Sequence, residues 1–401
     1  MSQNKHFSKK TLQLISLLTR NQKLLDTKKM SELLKNAGQK VCERTVRRWF
    51  DDLQRSTEYF DYYPVPRYEK LGLVYSWVFI NGLKNMDLIK IIPYNTYFIS
   101  GTHLQSLGPS TVVAYFIPKE HLTDFENYWK AAQKLNLFDS YELFDVRDTV
   151  YFYSKFHETF HNGVSNFTVE DNNYFFDILD SALKRNVTIE LDKNFRENPL
   201  TVAIVLERFR ESWSSTKVWR AAKEKLGEGV WDYVKDLRTR LNRSDASGIR
   251  LAQKTLGYVN ENFDKFFRQI KVDYAPVWSH KNNLFVHFIL DIGTDGLSDF
   301  VKILHKNSIQ CAVFLPYNNP KRHMFFAVTD FSGLDKVVHS INSLNAKKSV
   351  LWVDREATKK YWTRDFMKFD YSKVFDPKKC EWVYQHNKYM AQLEKLAQPS
   401  V

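Results

Sequence analysis

Residues 71–80 read LGLVYSWVFI, a run too continuously apolar for a β-strand with one wet face, so it belongs to a sheet buried on both sides. Working downstream, GLKNMDLIKII (82–92) has the spacing of a helix, TYFISGT (96–102) and STVVAYFIP (110–118) of two strands around a Gly/Pro-bearing turn. HLTDFENYWKAAQKL (121–135) follows as a helix and YELFDV (141–146) as a strand. The order β-α-β-β-α-β is that of a ferredoxin-like module. VYFYSKF (150–156) alternates as a further strand would.

Upstream of this module the period changes to that of short helices. KKTLQLISLLTR (9–20) places Leu14, Leu17 and Leu18 on one face, and DTKKMSELLKNAG (26–38) does so with Met30, Leu33, Leu34 and Ala37 before a stopping Gly38. In CERTVRRWFDDLQRS (42–56), Val46, Trp49, Phe50 and Leu53 share the inward face, which turns Arg44, Arg47, Arg48 and Asp51 outward. Three short helices with a basic third one describe a helix-turn-helix. EYFDYYPVPRY (58–68), aromatic with two prolines, reads as a short two-stranded wing.

The same order then recurs. NPLTVAIVLERFRE (198–211), SSTKVWRAAKEKLG (214–227) and GVWDYVKDLRTRLN (229–242) read as a second set of three helices, with Asp232, Lys235, Asp236, Arg238 and Thr239 outward on the last. LFVHFIL (284–290), GLSDFVKILHKN (296–307), QCAVFLP (310–316), HMFFAVTD (323–330), GLDKVVHSINSL (333–344) and KSVLWVD (348–354) spell β-α-β-β-α-β again. The expected fold is therefore α+β, winged helix-turn-helix modules alternating with ferredoxin-like modules, duplicated. Its domains fall at 1–66, 67–150, a connector at 151–197 with a helix near 170–184, 198–262, 263–370 and a C-terminal helix in 371–401. In that last segment Trp382, Met390 and Leu393 offer apolar cover.

Charge follows the modules. The net charge is +13, yet residues 1–66 carry 13 Lys/Arg against 7 Asp/Glu while residues 67–150 carry 8 against 9. Residues 198–257 return to excess base, 12 against 7. Basicity concentrated in the helical blocks is what binding to a phosphate backbone requires. Arginine can grip guanine O6 and N7 bidentately in the major groove, so the helix at 43–55 is expected to read double-stranded DNA. In the second copy, Asp232 and Asp236 repel phosphate, leaving Lys235, Arg238 and Arg243 to touch backbone.

These stretches together resemble the Lrp/AsnC family of prokaryotic transcription regulators, and the tandem arrangement resembles an archaeal type. ERTVRRWFDDL follows the family's recognition-helix pattern, and Gly72 stands where its first sensor strand begins. The resemblance implies a transcription regulator whose DNA-facing residues are Arg44, Thr45, Arg47 and Arg48. It also implies a small-molecule effector on the βαββαβ modules, and dimerisation of those modules, which a duplicated chain would achieve as an intrachain pseudo-dimer. The chain departs from the family at Cys42, where a serine cap is usual. It departs again between the middle strands, where SGTHLQSLGPS (100–110) and PYNNPKRH (316–323) lack the family's Gly-x-x-Asp turn.

Other classes find less support. FHETFHNG (156–163) contains H-E-x-x-H, the zinc-peptidase spacing, but Asn162-Gly163 signals a turn straight after His161 and position 167 is Phe, so no third ligand follows. Cys42, Cys311 and Cys380 are too scattered for a disulfide framework or a Cys-based zinc site. No run approaches the roughly 18 apolar residues of a membrane span, and the polar N-terminus is unlike a signal peptide, which implies a cytoplasmic protein. No nucleotide-binding fingerprint occurs. The expectation is a regulator without metal or cofactor and not an enzyme, with a replication initiator as the alternative DNA-binding reading and a zinc hydrolase using HETFH as the remote one.

Overall fold

The computed structural model describes Leu14 and residues 27–36, 38–56, 60–102, 109–153, 172–193, 195, 198–210, 220–222, 224–225, 248–274, 284–307, 310–329, 331–344, 348–353 and 369–398. In chain order its longer helices are α1 (Thr27–Asn36), α2 (Glu43–Ser56), α3 (Leu122–Lys134), α4 (Asn172–Lys184), α5 (Pro199–Arg210), α6 (Gly248–Glu261), α7 (Thr294–Asn307), α8 (Phe331–Ser343) and α9 (His386–Ala397). Its longer strands are β1 (Phe60–Pro66), β2 (Leu73–Asn81), β3 (Asn95–Thr102), β4 (Pro109–Pro118), β5 (Ser140–Tyr153), β6 (Phe267–Tyr274), β7 (Leu284–Asp291), β8 (Gln310–Pro316), β9 (Arg322–Thr329) and β10 (Lys348–Val353). The chain divides into two compact units, each drawn from separate segments.

The first unit comprises Met1–Arg67, Asp192–Pro276 and Phe375–Glu381. Here the wing expected within 58–68 is corrected: β1 is a single strand, and its antiparallel partner is β6, with Tyr62 opposite Val272 and Pro64 opposite Ile270. A hairpin needs a turn, and Phe60–Pro66 has no Gly or Asn to make one. The ladder continues into Arg67, whose N–H donates to the Phe266 carbonyl at 2.8 Å. Amides alternate in direction along a strand, so Pro64 and Pro66, out of phase with Arg67, place their missing N–H on the side away from β6. Helix α6 went unread in the sequence because Gly248 and Gly257 weaken its signal. Of the helix expected at 9–20 only Leu14 is described, and it is fully buried. The helix expected at 229–242 lies outside the described residues.

The second unit, Tyr68–Leu191, Val277–Val374 and Trp382–Val401, is built on one mixed-in-sequence, wholly antiparallel sheet of eight strands in the order β10-β7-β9-β8-β5-β2-β4-β3. Each half repeats one local order, its last strand outside its first, then its third and its second. Strand β5 joins the halves. Its first part, to Val146, pairs with β2, and past a bulge between Val146 and Asp148 its continuation through Tyr153 pairs with β8. The end strands β3 and β10 approach one another, so the sheet curls round on itself. The chain is thus a mixed α/β protein with a large antiparallel sheet and flanking helices.

Both faces of the sheet are covered, as the apolar runs of β2 and β7 require. On one face Val286, Phe288 and Leu290 of β7 pack with Leu297, Phe300, Val301 and Leu304 of α7, Val337 and Ile341 of α8, and Leu179 and Ala182 of α4. On the other, Trp77 of β2 meets Phe314 of β8 and His287 of β7 at ring separations of 5.3 and 5.6 Å, and His287 meets Phe326 at 4.9 Å. Helix α4 is tied down by Arg147, which donates to the carbonyls of Ala182 and Leu183 in its last turn, and by the Arg185–Asp148 pair at 3.2 Å. A cation is well placed at that end of a helix.

Two local expectations change. The helix expected at 82–92 is only a 3-10 turn, Met86–Lys90, opened by Asn85, whose side chain accepts from Asp87 N–H. Pro93 stops it, and the carbonyls of Leu88 and Ile89 are taken by the hydroxyls of Tyr128 and Tyr115 at 2.9 and 3.0 Å. The C-terminal helix occupies only part of the segment 371–401 expected to form it, starting at His386. Trp382 and Leu393 are nonetheless buried. No helix among the described residues is long and apolar enough to cross a membrane.

Candidate nucleic-acid interface

Helices α1 and α2 are joined through a tight turn that the sequence builds at Gly38. This residue has φ +82°, a left-handed conformation that glycine adopts without penalty. Its N–H bonds the Lys35 carbonyl and the Gln39 N–H the Leu34 carbonyl, both at 2.9 Å, which closes α1 in a Schellman motif. Buried Ser31 of α1 then donates to the Val41 carbonyl at 2.9 Å, fastening the far side of the turn. Met30 and Leu34 of α1 and Val46 and Phe50 of α2 are buried, so the angle between the helices is set by an apolar seam.

Cys42 opens α2. Its carbonyl accepts from the N–H groups of Thr45 and Val46 at 3.0 and 3.1 Å, and its Sγ lies 3.3 Å from Thr45 Oγ1. Hydrogen bonds from the Thr45 side chain, then its backbone, draw the exposed thiol below its ordinary range. Sulfur therefore occupies the capping position where oxygen is usual.

With Val46 and Phe50 inward, Arg44, Arg47 and Arg48 are exposed and Thr45 is half-buried. Exposed Lys28, Lys29 and Lys35 of α1 add to this positive surface, while Glu32, Glu43, Asp51 and Asp52, also exposed, break it up. Arg47 Nη2 lies 3.1 Å from Glu43 Oε1, which also accepts from Thr27 Oγ1 at 2.9 Å. Reading the outward face alone missed Thr27 and Glu43; the Glu-to-Arg spacing of four residues was the available signal. Of the seven residues expected to touch DNA, α2 brings four together. Lys235, Arg238 and Arg243 lie outside the described residues. So does the whole of HETFH, and among the described residues no group of three or more His, Cys, Asp or Glu is placed to hold a metal ion.

No family model matches this chain, and no curated protein does. Two solved structures are similar to it, crystal structures of the siroheme decarboxylase NirDL, the second in co-complex with an iron-uroporphyrin III analogue. Each is 11% identical with a TM-score of 0.47; the first likeness covers 96% of this chain and 99% of that chain, the second 97% and 100%. The expectation that the chain is not an enzyme is corrected by this finding, because the chains it is similar to over nearly their whole length are enzymes. That expectation rested on the absence of short motifs, and a catalytic site assembled from residues far apart in sequence leaves none. At this identity and score the likeness transfers neither that reaction nor that ligand to the present chain.

Proposed function

We propose that the protein is a sequence-specific DNA-binding transcription regulator that reads the major groove with α2. The observation that carries this reading is the division of one helix, with Val46 and Phe50 buried and Arg44, Arg47 and Arg48 in solvent behind a tight helix-turn-helix turn. Arginines on such a face can engage guanine edges, and the lysines of α1 can hold phosphates on either side. The partner is double-stranded DNA.

In this reading the chain is a duplication of a helix-turn-helix followed by a ferredoxin-like module. The strand order within each half of the sheet and the pairing of β5 with β8 support it, the two modules making an intrachain pseudo-dimer. A small-molecule effector would act through those modules. The test is binding of the full chain to a pool of duplex DNA with a randomised core, over a series of salt concentrations. An enriched motif, with an affinity that falls linearly with salt on logarithmic axes, is expected. Binding that is absent, or indifferent to salt, overturns the reading.

A further inference from the structure

We propose that Glu43 sets the DNA sequence preference of α2 by fixing the direction in which Arg47 presents its guanidinium, an inference that rests on the DNA-binding reading above. Glu43 is the first residue of α2 and Thr27 the first of α1, and the Thr27 hydroxyl donates to Glu43 Oε1 at 2.9 Å. The carboxylate is therefore tied to a second helix. The same oxygen receives Arg47 Nη2 at 3.1 Å from one turn further along α2. Side chains on a helix lean toward its N-terminus, so Arg47 is laid over the first turn of α2. That turn is the part of a recognition helix that meets base edges.

An exposed ion pair four residues apart adds little to stability, so its consequence lies in direction. A guanidinium held at one nitrogen keeps its remaining donors in a fixed plane, the arrangement that distinguishes guanine O6 and N7 from other acceptors. The guanidinium groups of Arg44 and Arg48, by contrast, make no hydrogen bond or ion pair among the described residues, and long unheld cations suit phosphates. Glu43 is a positioning residue acting through Arg47.

Two variants separate charge from position. Glu43→Gln removes a negative charge that repels phosphate and weakens the hold on Arg47, whereas Thr27→Val keeps the charge and frees the carboxylate. Selection from the randomised duplex pool is run on the full chain with each variant and with Arg47→Ala. Both Glu43→Gln and Thr27→Val are expected to lose about tenfold preference at one base step, the step that Arg47→Ala also loses. Glu43→Gln alone should bind unselected duplex more tightly. A wild-type motif that Arg47→Ala weakens but that Glu43→Gln and Thr27→Val leave unchanged overturns the positioning role and leaves DNA binding standing. No motif in the wild type overturns both.

Discussion

The indole Nε1 of Trp382 donates a 2.6 Å hydrogen bond to the carbonyl of Leu71, 311 residues earlier in the chain. Leu71 is itself buried and sits two residues before β2, an inner strand of the first half-sheet. The C-terminal segment is thereby fastened to the start of the sheet, with the Trp382 ring 5.8 Å from Phe369.

Replacing Trp382 with Phe is expected to cost about 1–3 kcal/mol, since the Leu71 carbonyl is left buried without that donor. Trp382→Ala adds a cavity and should cost about 3–5 kcal/mol. Urea unfolding of the two variants beside the wild type measures both. A Phe variant as stable as the wild type would mean that packing alone matters there.

Gly72 has φ +71°, and a Cβ at this position would stand 3.0 Å from the backbone nitrogen of Leu191. The neighbour is main chain, held in an antiparallel bridge between Leu71 and Leu191, and cannot swing aside. Gly72→Ala is expected to destabilise the fold by about 1–3 kcal/mol through the positive φ and the close approach together. A thermal midpoint unchanged from wild type would refute it. Gly257, with open space around its position, should by contrast tolerate alanine.

Burial holds the imidazole of His287 down to about 3 and that of His323 down to about 4, far below the ordinary 6.5. Both are neutral when folded, so unfolding below about pH 6.5 takes up protons that the native state refuses. Their contribution to stability is complete above that value, falls as pH drops through it, and levels off below the folded values. His287→Phe, which keeps an aromatic ring between Trp77 and Phe326, should lessen the loss of stability between pH 7 and pH 5. The slope is expected to shrink by up to one proton's worth, about 1.4 kcal/mol per pH unit. Denaturant midpoints at several pH values decide it.

Replacing Arg47 and Arg48 together with alanine is expected to weaken specific DNA binding at least tenfold and to leave the thermal midpoint nearly unmoved. On the proposed reading the binding loss follows from removing Arg47 from the base edges and Arg48 from the phosphates. Stability should hold because both side chains are exposed beside buried Val46 and Phe50. Fluorescence anisotropy with the enriched duplex and a melting curve give the two readouts. A collapsed midpoint would mean that α2 packs differently.

The strands of the large sheet could be read directly because both their faces are dry, so β2, β4, β7 and β9 appear as unbroken apolar runs. Strand β6, FRQIKVDY, carries charges and has no such run, and nothing near β1 announces a partner 200 residues away. Pairing across that distance leaves no local signature. The short turn at Met86–Lys90 looked helical because Leu88 and Ile89 stand four and three residues before Ile92, as on one helix face, while the tyrosine hydroxyls that claim the Leu88 and Ile89 carbonyls come from β4 and α3. At the candidate interface the arginine face followed from period alone. The Glu43–Thr27 link did not, because it joins two helices.

The pairing of β1 with β6 also governs how the chain must be made. Translation adds roughly 5–20 residues per second, so Phe60–Pro66 waits on the order of 10–40 s before Phe267–Tyr274 is synthesised. During that interval the strand has no partner of its own and is open to pairing with any passing chain. Pro64 and Pro66 deny a donor to one of its two edges, the edge turned away from β6. Contacts this distant in sequence make folding slow, and the first unit can be completed only late in synthesis.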